Sequence, residues 1–107
     1  MRRMSNVVFT KRHGEDHKMH YDGCIYNCVK CTDGGIYLFA ADEYTAKSLK
    51  CSVHQLCGRI TAMSSKKVAF EIYDQEGAHT DQCLYTYQTS CMPWLAAILY
   101  PGKNLLV

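Results

Sequence analysis

The sequence predicts an α+β fold: a knuckle on a β-hairpin, a short helix, and a small antiparallel sheet that continues from them. Three observations lead to this prediction. Two pairs of metal-binding residues flank an apolar segment, an aspartate precedes a short helical segment, and alternation of apolar and polar residues begins after the second pair. The 107 residues are expected to form a single domain, with a knuckle module at residues 24–57 and antiparallel strands plus a short C-terminal helix at residues 58–107.

The knuckle module is defined by two residue pairs of equal spacing, Cys28/Cys31 and Cys51/His54. Two such side chains three positions apart around a tight turn can bind one metal ion, and a second pair completes the tetrahedron that Zn²⁺ prefers. We therefore predict that the module is a zinc finger that staples the domain, with Cys57 as the substitute for His54. Because four protein ligands leave no position for a substrate, the predicted Zn²⁺ is structural.

Two other interpretations of these cysteines stay open. They can be buried free thiols, because cysteine is a small apolar side chain that is common in protein cores. They can also serve a cysteine-based redox or hydrolytic enzyme, in which an exposed reactive Cys28 has His20 as its base. A redox C-x-x-C motif begins a helix, whereas the Thr-Asp-Gly-Gly segment after Cys31 predicts a turn. We therefore expect a protein that is not an enzyme.

Local patterns predict the elements of the N-terminal half. Residues 6–11 are rich in Val and Phe and predict a first strand, and residues 17–23 predict a second strand that ends in an Asp-Gly turn. Residues 24–27 lead into the knuckle and are expected to pair with residues 36–40. Asp42 can then cap a short helix that delivers the second metal-binding pair.

After the helix, which Gly58 is expected to end, the pattern becomes that of strands. Residues 59–63 and 67–73 predict two strands, a polar loop is expected at residues 74–82, and residues 83–88 predict a third strand. Three apolar residues of the middle strand alternate with others and are expected to face the core: Val68, Phe70 and Ile72.

Composition indicates a folded protein in a reducing compartment. Seven cysteines are an odd number, which argues against a closed disulfide framework, and no apolar segment near the N-terminus has the length of a signal sequence. Pro93 opens a short apolar helix at residues 94–100, and this most hydrophobic segment is far too short to span a membrane. We therefore expect an intracellular protein without a membrane partner.

A second metal site is a further hypothesis from spacing. His79, Cys83 and Cys91 follow one another closely enough to act together if strands bring them to one place, with Cys57 or His20 to complete the set. The alternative is that Cys83 and Cys91 are core or edge residues of the sheet.

Basic and aromatic residues indicate a binding role. The net charge is only +2, and the cationic side chains fall into small groups: Lys11, Arg12, Lys47, Lys50, Arg59, Lys66 and Lys67. Such residues can contact RNA phosphates, while Tyr37, Tyr85 or Tyr87 can stack on single-stranded bases. The alternative is that the lysines form a solvated surface and the tyrosines cover the sheet. The expected partner is RNA or a regulatory protein.

The layout of residues 6–57 resembles the cysteine-rich suppressor of RNA silencing that is encoded by the first reading frame of sobemoviruses. The shared features are a short N-terminal strand, the Cys28/Cys31 pair, an aromatic and polar segment with Tyr37 and Tyr44, and a second metal-binding pair downstream. That second pair is C-x2-H here and C-x2-C in the family. The resemblance implies a viral regulatory protein of the host cytoplasm and nucleus, which blocks host RNA silencing through RNA or a host protein and carries a second zinc site in its C-terminal half.

Overall fold

The structure, a computed structural model, describes residues 6–10, 16–64, 66–74 and 77–87. These residues form seven strands and one helix: β1 (Asn6–Thr10), β2 (His17–Tyr21), β3 (Cys24–Lys30), β4 (Ile36–Ala40), α1 (Glu43–Leu49), β5 (Leu56–Met63), β6 (Lys67–Asp74) and β7 (Gly77–Tyr87). The strands close into a barrel in sequence order. Each strand pairs antiparallel with the next, and β1 and β7 pair in parallel because an odd number of alternating strands brings the first and last into the same direction.

The predicted α+β class is wrong, because the strands belong to one closed barrel. Residues 77–82, expected in a loop, form the first part of β7 and pair with β6. At the other edge β7 meets β1, with Asn6 opposite Leu84, and this contact closes the barrel. The hairpin of the predicted knuckle, β3 and β4, therefore belongs to the same sheet as the downstream strands.

The barrel interior is filled by side chains that alternate inward along each strand. The predicted core face of β6 is confirmed, since Val68, Phe70 and Ile72 are all buried. The five largest fully buried side chains in the described part of the chain are apolar and come from several strands: Phe9, Phe70, Met19, Leu38 and Val7. A barrel of this size has an interior just wide enough for such side chains.

Helix α1 begins where the sequence predicts. The Asp42 side chain accepts a hydrogen bond from the Thr45 backbone N–H at 2.8 Å, which is the expected N-cap. The buried Thr45 hydroxyl accepts from the Ile25 backbone N–H at 2.8 Å and so attaches the helix to the start of β3. The helix ends at Lys50, whose φ of 56° is left-handed, so the prediction that Gly58 ends it was wrong.

Gly58 instead lies inside β5, at a close approach to β6. A Cβ atom added at Gly58 would lie 2.3 Å from the Glu71 carbonyl oxygen, a distance that real Cβ atoms do not adopt. Glycine is therefore required here for close packing of two strands rather than for a helix end.

The two-residue turn between β2 and β3 is the Asp-Gly turn that the sequence predicts. Asp22 and Gly23 both have positive φ, 52° and 79°, as hairpin turns matched to the strand twist require. Of the remaining predictions, Lys11, Arg12, Cys91 and the helix at residues 94–100 lie outside the described residues. No helix among the residues described above has the length and apolar character needed to cross a membrane.

Candidate functional site

One end of the barrel, which we call the mouth, carries a pocket of about 440 Å³. The β2–β3 turn, helix α1 and the end of the β6–β7 pair meet there. Their side chains form the three walls of this mouth pocket. The volume lies within the range of small-molecule sites, which are concave and combine apolar walls with a few polar groups.

A side-chain hydrogen bond crosses the mouth between two strands that both flank β1. The Tyr21 hydroxyl on β2 donates to the Asp81 carboxylate on β7. β2 and β7 each pair with β1, so this bond adds a direct link between them.

Aromatic and aliphatic side chains form the inner walls of the pocket. The Tyr21 and Phe70 rings lie edge to face, with centroids 4.9 Å apart and an interplanar angle of 75°. Tyr26 lies deeper than Tyr21, Ile72 lies nearer the end of β6 than Phe70, and Leu49 contributes from the last turn of α1. Such a surface accommodates an apolar or aromatic body.

Carboxylates lie at two levels of the pocket. Asp81 stands opposite Phe70 in the β6–β7 register; it accepts from Tyr21 and also, through Oδ1, from the Gln82 backbone N–H at 2.9 Å. At the end of β6, Asp74 Oδ2 lies 2.9 Å from His79 Nε2, and 57 % of the His79 side chain is exposed. The outer end of the pocket is therefore polar, and Asp81 places a carboxylate beside the aromatic wall.

The environment keeps the pocket tyrosines neutral. Burial raises the pKa of Tyr21 well above its ordinary value, and the hydrogen bond to Asp81 raises it further. Burial raises the pKa of Tyr26 as well, with a contribution from its neighbour Cys24, to which it is hydrogen bonded. Both hydroxyls therefore act as hydrogen-bond donors rather than as phenolate bases near neutral pH.

Three cysteines lie near one another beside the pocket. Cys24 lines it, and burial together with the nearby Cys51 and Cys24 thiols raises the pKa of Cys57 to about 12. Across the mouth, burial and Asp81 raise the pKa of Cys83 to about 11. Thiols with raised pKa values are poor nucleophiles and poor metal ligands until they are deprotonated.

The predicted zinc ligands lie at different levels of the barrel. Cys28 is buried inside β3, and Cys31 follows β3 at the end opposite the mouth. Cys51 and His54 lie between α1 and β5 at the mouth, where the His54 N–H donates to the Ala40 carbonyl at 2.8 Å. β4 separates these two ends by roughly 13 Å at about 3.3 Å per residue. The structure does not bring the four side chains together, and zinc binding stays a prediction.

The substitute ligand and the second proposed metal site are also dispersed. Cys57 is buried at the start of β5, and Cys83 is buried in β7. His79 lies at the rim, and His20 bonds through Nε2 with the Thr10 hydroxyl at 2.9 Å. In the described ranges, no three His, Cys, Asp or Glu side chains are arranged as metal ligands.

Those basic residues proposed for RNA that the structure describes do not form one patch. Lys47 and Lys50 belong to α1 and its C-cap at the mouth, whereas Lys66 and Lys67 precede or begin β6 at the opposite end. Arg59 lies between the two ends on the outer face of the barrel, where it pairs with Glu71.

Of the tyrosines considered for base stacking, Tyr37 lies on the outer face of β4 and donates to Asp33 Oδ2 at 2.5 Å. Tyr85 is half-buried and donates to the Ser64 carbonyl at 2.6 Å. Tyr87 ends β7. Only Tyr37 of the first two therefore presents its ring to solvent.

The pocket residues were missed by sequence reasoning because they are distant along the chain. Tyr21 and Asp81 are 60 positions apart. A signal was present in Tyr21, which continues the inward alternation of His17 and Met19 to the end of its strand. Asp81 stands two positions before the buried Cys83, so it has the same inward parity. A polar side chain at the last inward position of a strand indicates the end of a core.

No protein-family model matches the chain, and no curated protein or solved structure matches it either. The resemblance to the sobemovirus suppressor therefore stays a prediction.

Proposed function

We propose that this protein is a non-enzymatic binding protein that holds a small molecule in the mouth pocket. The observation that carries this proposal is a cavity of about 440 Å³ in which aromatic walls lie beside a few polar side chains. Such pairing of an apolar wall with a few placed polar groups is the usual composition of a ligand site.

The state of the thiols supports a role without catalysis. A catalytic cysteine requires a lowered pKa, whereas burial raises the pKa of Cys51, Cys57 and Cys83. A thiol-reactive probe tests this point on the folded protein. The four buried cysteines of the described residues are expected to label slowly until denaturant is added, and rapid modification of one of them would support a cysteine-based enzyme instead: Cys24, Cys28, Cys57 and Cys83.

A blocking variant tests the pocket itself. Ser48 is exposed on α1 and lines the pocket, so Ser48→Trp is expected to fill it without disturbing the core. Lys47→Trp places the same side chain on the same helix outside the pocket lining and is the matched control. We expect fragments detected by ligand-observed NMR to lose binding in Ser48→Trp and to keep it in Lys47→Trp. A fragment screen in which both variants behave like the unmodified protein would contradict the proposal.

RNA binding is a second candidate, favoured by the outer face of β4, β5 and β6. Tyr37 stands opposite Arg59 in the strand register, and Arg59 stands opposite Glu71. Tyr73 follows on β6, so two aromatic side chains flank an arginine on neighbouring strands. Single-stranded bases can stack on such a surface. The nearby Asp33 and Glu71 carboxylates oppose phosphate binding, which is why this function ranks second.

Titration of labelled single-stranded RNA at two salt concentrations tests the second candidate. Weak binding with a shallow salt dependence is expected, roughly 0.7 log units of affinity per log unit of salt for each phosphate contact. Tyr37→Ala is expected to weaken it, whereas Tyr44→Ala, an exposed tyrosine on α1, serves as control. The viral role, suppression of host silencing and the host cytoplasm or nucleus as location rest on the resemblance alone; a silencing-reversal assay in plant tissue is their test.

A further inference from the structure

Two hydroxyl donors in the mouth pocket are already used within the protein. Tyr21 donates to Asp81, and the Ser48 hydroxyl donates to the Tyr44 carbonyl at 2.9 Å. A ligand that approaches these groups therefore finds their protons engaged. The pocket has less to offer an acceptor-rich ligand than its number of hydroxyl groups suggests.

Acceptor capacity, by contrast, is left over at Asp81. An ionised carboxylate has two oxygens with about four lone-pair sites. Two hydrogen bonds reach Asp81, one from Tyr21 and one from the Gln82 backbone N–H. Because Asp81 lines the cavity, a ligand that donates hydrogen bonds can satisfy the remaining sites.

The charge of the pocket lining also favours a ligand that donates hydrogen bonds, and in particular a cation. Asp22, Asp74 and Asp81 line the cavity, and His79 is the one basic side chain among the described lining residues. His79 already pairs with Asp74. Opposite charge within a few ångströms favours a bound cation, and the effect is larger in a partly enclosed site than in bulk water.

Aromatic rings next to the carboxylates add an attraction for the same class of ligand. The Tyr21 and Phe70 rings meet within the cavity wall, close to Asp81. Cations within about 6 Å of an aromatic ring are attracted by its π electrons. The cavity and its rings fit an organic body. The unused lone pairs of Asp81 fit a positively charged group that donates hydrogen bonds.

We propose that the mouth pocket binds an organic cation, a compound that carries an ammonium group next to an aromatic or aliphatic body. This inference rests on the function proposed above and names its ligand class. The ammonium group donates to Asp81, and the organic body lies against the neighbouring Phe70 and Tyr21 rings.

Three probes of similar shape and different charge test the ligand class. They are phenethylammonium, the neutral 2-phenylethanol and the anion 3-phenylpropionate, each titrated into the full chain at neutral pH with NMR detection. We expect phenethylammonium to bind at least tenfold more tightly than either of the others, because a hydrogen bond to a charged partner is stronger than a neutral one. Equal or tighter binding of the neutral or anionic probe overturns the cation inference and leaves the pocket proposal standing.

Matched carboxylate variants locate the cation. Asp81→Asn is expected to weaken the binding of phenethylammonium at least tenfold. Asp33→Asn removes the same charge at the opposite end of the barrel and is expected to leave this binding unchanged. Equal effects of the two variants overturn the inference. If circular dichroism shows that Asp81→Asn is unfolded, Asp74→Asn replaces it and is expected to weaken binding by the same factor. If none of the three probes binds, and Ser48→Trp also changes no fragment signal, the proposed function fails as well.

Discussion

The Tyr21 hydroxyl donates a hydrogen bond to the Asp81 carboxylate across the mouth of the barrel, between residues 60 positions apart. The bond joins β2 to β7, the two strands that flank β1 and have no backbone pairing with each other among the described residues. It also closes one side of the mouth pocket. A single side-chain contact thus contributes both to barrel closure and to the shape of the candidate site.

Replacement of Tyr21 by phenylalanine isolates this contact. Tyr21→Phe keeps the ring against Phe70 and removes only the hydroxyl, so we expect the free energy of unfolding to fall by about 1–2 kcal/mol, the range for a hydrogen bond to a charged group that is partly exposed. Urea denaturation measures the change. Tyr37→Phe, which loses an exposed hydrogen bond to Asp33, is the control and should cost clearly less, because water replaces an exposed hydrogen bond. Equal losses would mean that the bond does not help to close the barrel.

Features that depend on neighbouring residues could be predicted from the sequence. The Asp42 cap, the Asp22-Gly23 turn and the alternation on β6 are local, and the structure confirms them. Barrel closure is not local, since β1 and β7 pair residues at opposite ends of the described chain. No short window of sequence contains that information.

The start of β7 was missed for a different reason. Residues 77–82 are exposed or half-buried because they extend to the mouth, so no alternation of apolar and polar residues marks them as strand. The cysteines present a different case, because their spacing predicts metal ligands while their positions in the strand fit a core. Cys24 and Cys28 are four positions apart on β3 and both face inward, so they occupy core positions of a strand as small apolar side chains.

Alkaline pH is expected to destabilise the fold through its buried thiols. Burial raises the pKa of Cys83 to about 11 and that of Cys57 to about 12, from an ordinary value near 9. Between pH 9 and these raised pKa values, each thiol loses its proton in the unfolded chain and keeps it in the folded chain. The contribution of the two thiols to the free energy of unfolding is therefore constant below about pH 9 and falls above it. The slope is up to about 1.4 kcal/mol per pH unit for each thiol.

Urea midpoints at pH 8 and pH 10.5 in reducing buffer measure this dependence. Cys83→Val retains an apolar side chain of similar size and removes one titrating group. The urea midpoint of this variant should therefore fall less between the two pH values than that of the unmodified protein. Parallel pH profiles for the two proteins would show that Cys83 is not protected from ionisation by the fold.

Gly58→Ala is expected to separate two strands. Its Cβ would meet the Glu71 carbonyl oxygen at 2.3 Å, and a backbone atom within a paired strand cannot move alone. We expect a loss of about 1–3 kcal/mol or more, as for other overpacked sites. Gly35→Ala is the control, because its nearest neighbour is the Tyr37 side chain at 3.1 Å, which can rotate away. A similar loss of stability in both variants would contradict the close approach of β5 and β6.

Zinc binding can be tested against the barrel by comparing two cysteines of the same pair. Cys28 is buried in the core, so Cys28→Ser should be destabilising with or without metal. Cys31 is half-buried and lies at the end opposite the mouth, so in the barrel described here Cys31→Ser should change the melting temperature little. Native mass spectrometry gives the direct readout, and a metal-free mass with a stable Cys31→Ser variant would contradict the zinc prediction. A zinc-loaded mass, with unfolding by chelator and by Cys31→Ser alike, would establish the four-ligand site predicted from the spacing.

Thr45 joins helix α1 to the barrel, and its hydroxyl can be tested separately from its shape. Thr45 is fully buried, and its hydroxyl accepts from the Ile25 backbone N–H at 2.8 Å. Thr45→Val keeps the volume and leaves that N–H without its acceptor, which should cost about 1–3 kcal/mol. Thr45→Ser keeps the acceptor and loses one methyl group, about 1 kcal/mol.

Hydrogen exchange distinguishes the two causes of instability. The Ile25 amide should exchange faster in Thr45→Val than in Thr45→Ser after correction for global stability, because only the valine variant removes its acceptor. Since α1 supplies Ser48 and Leu49 to the mouth pocket, the valine variant should also weaken ligand binding more than the serine variant does. Unchanged Ile25 exchange in Thr45→Val would mean that packing of the helix, and not this hydrogen bond, holds the third wall of the pocket in place.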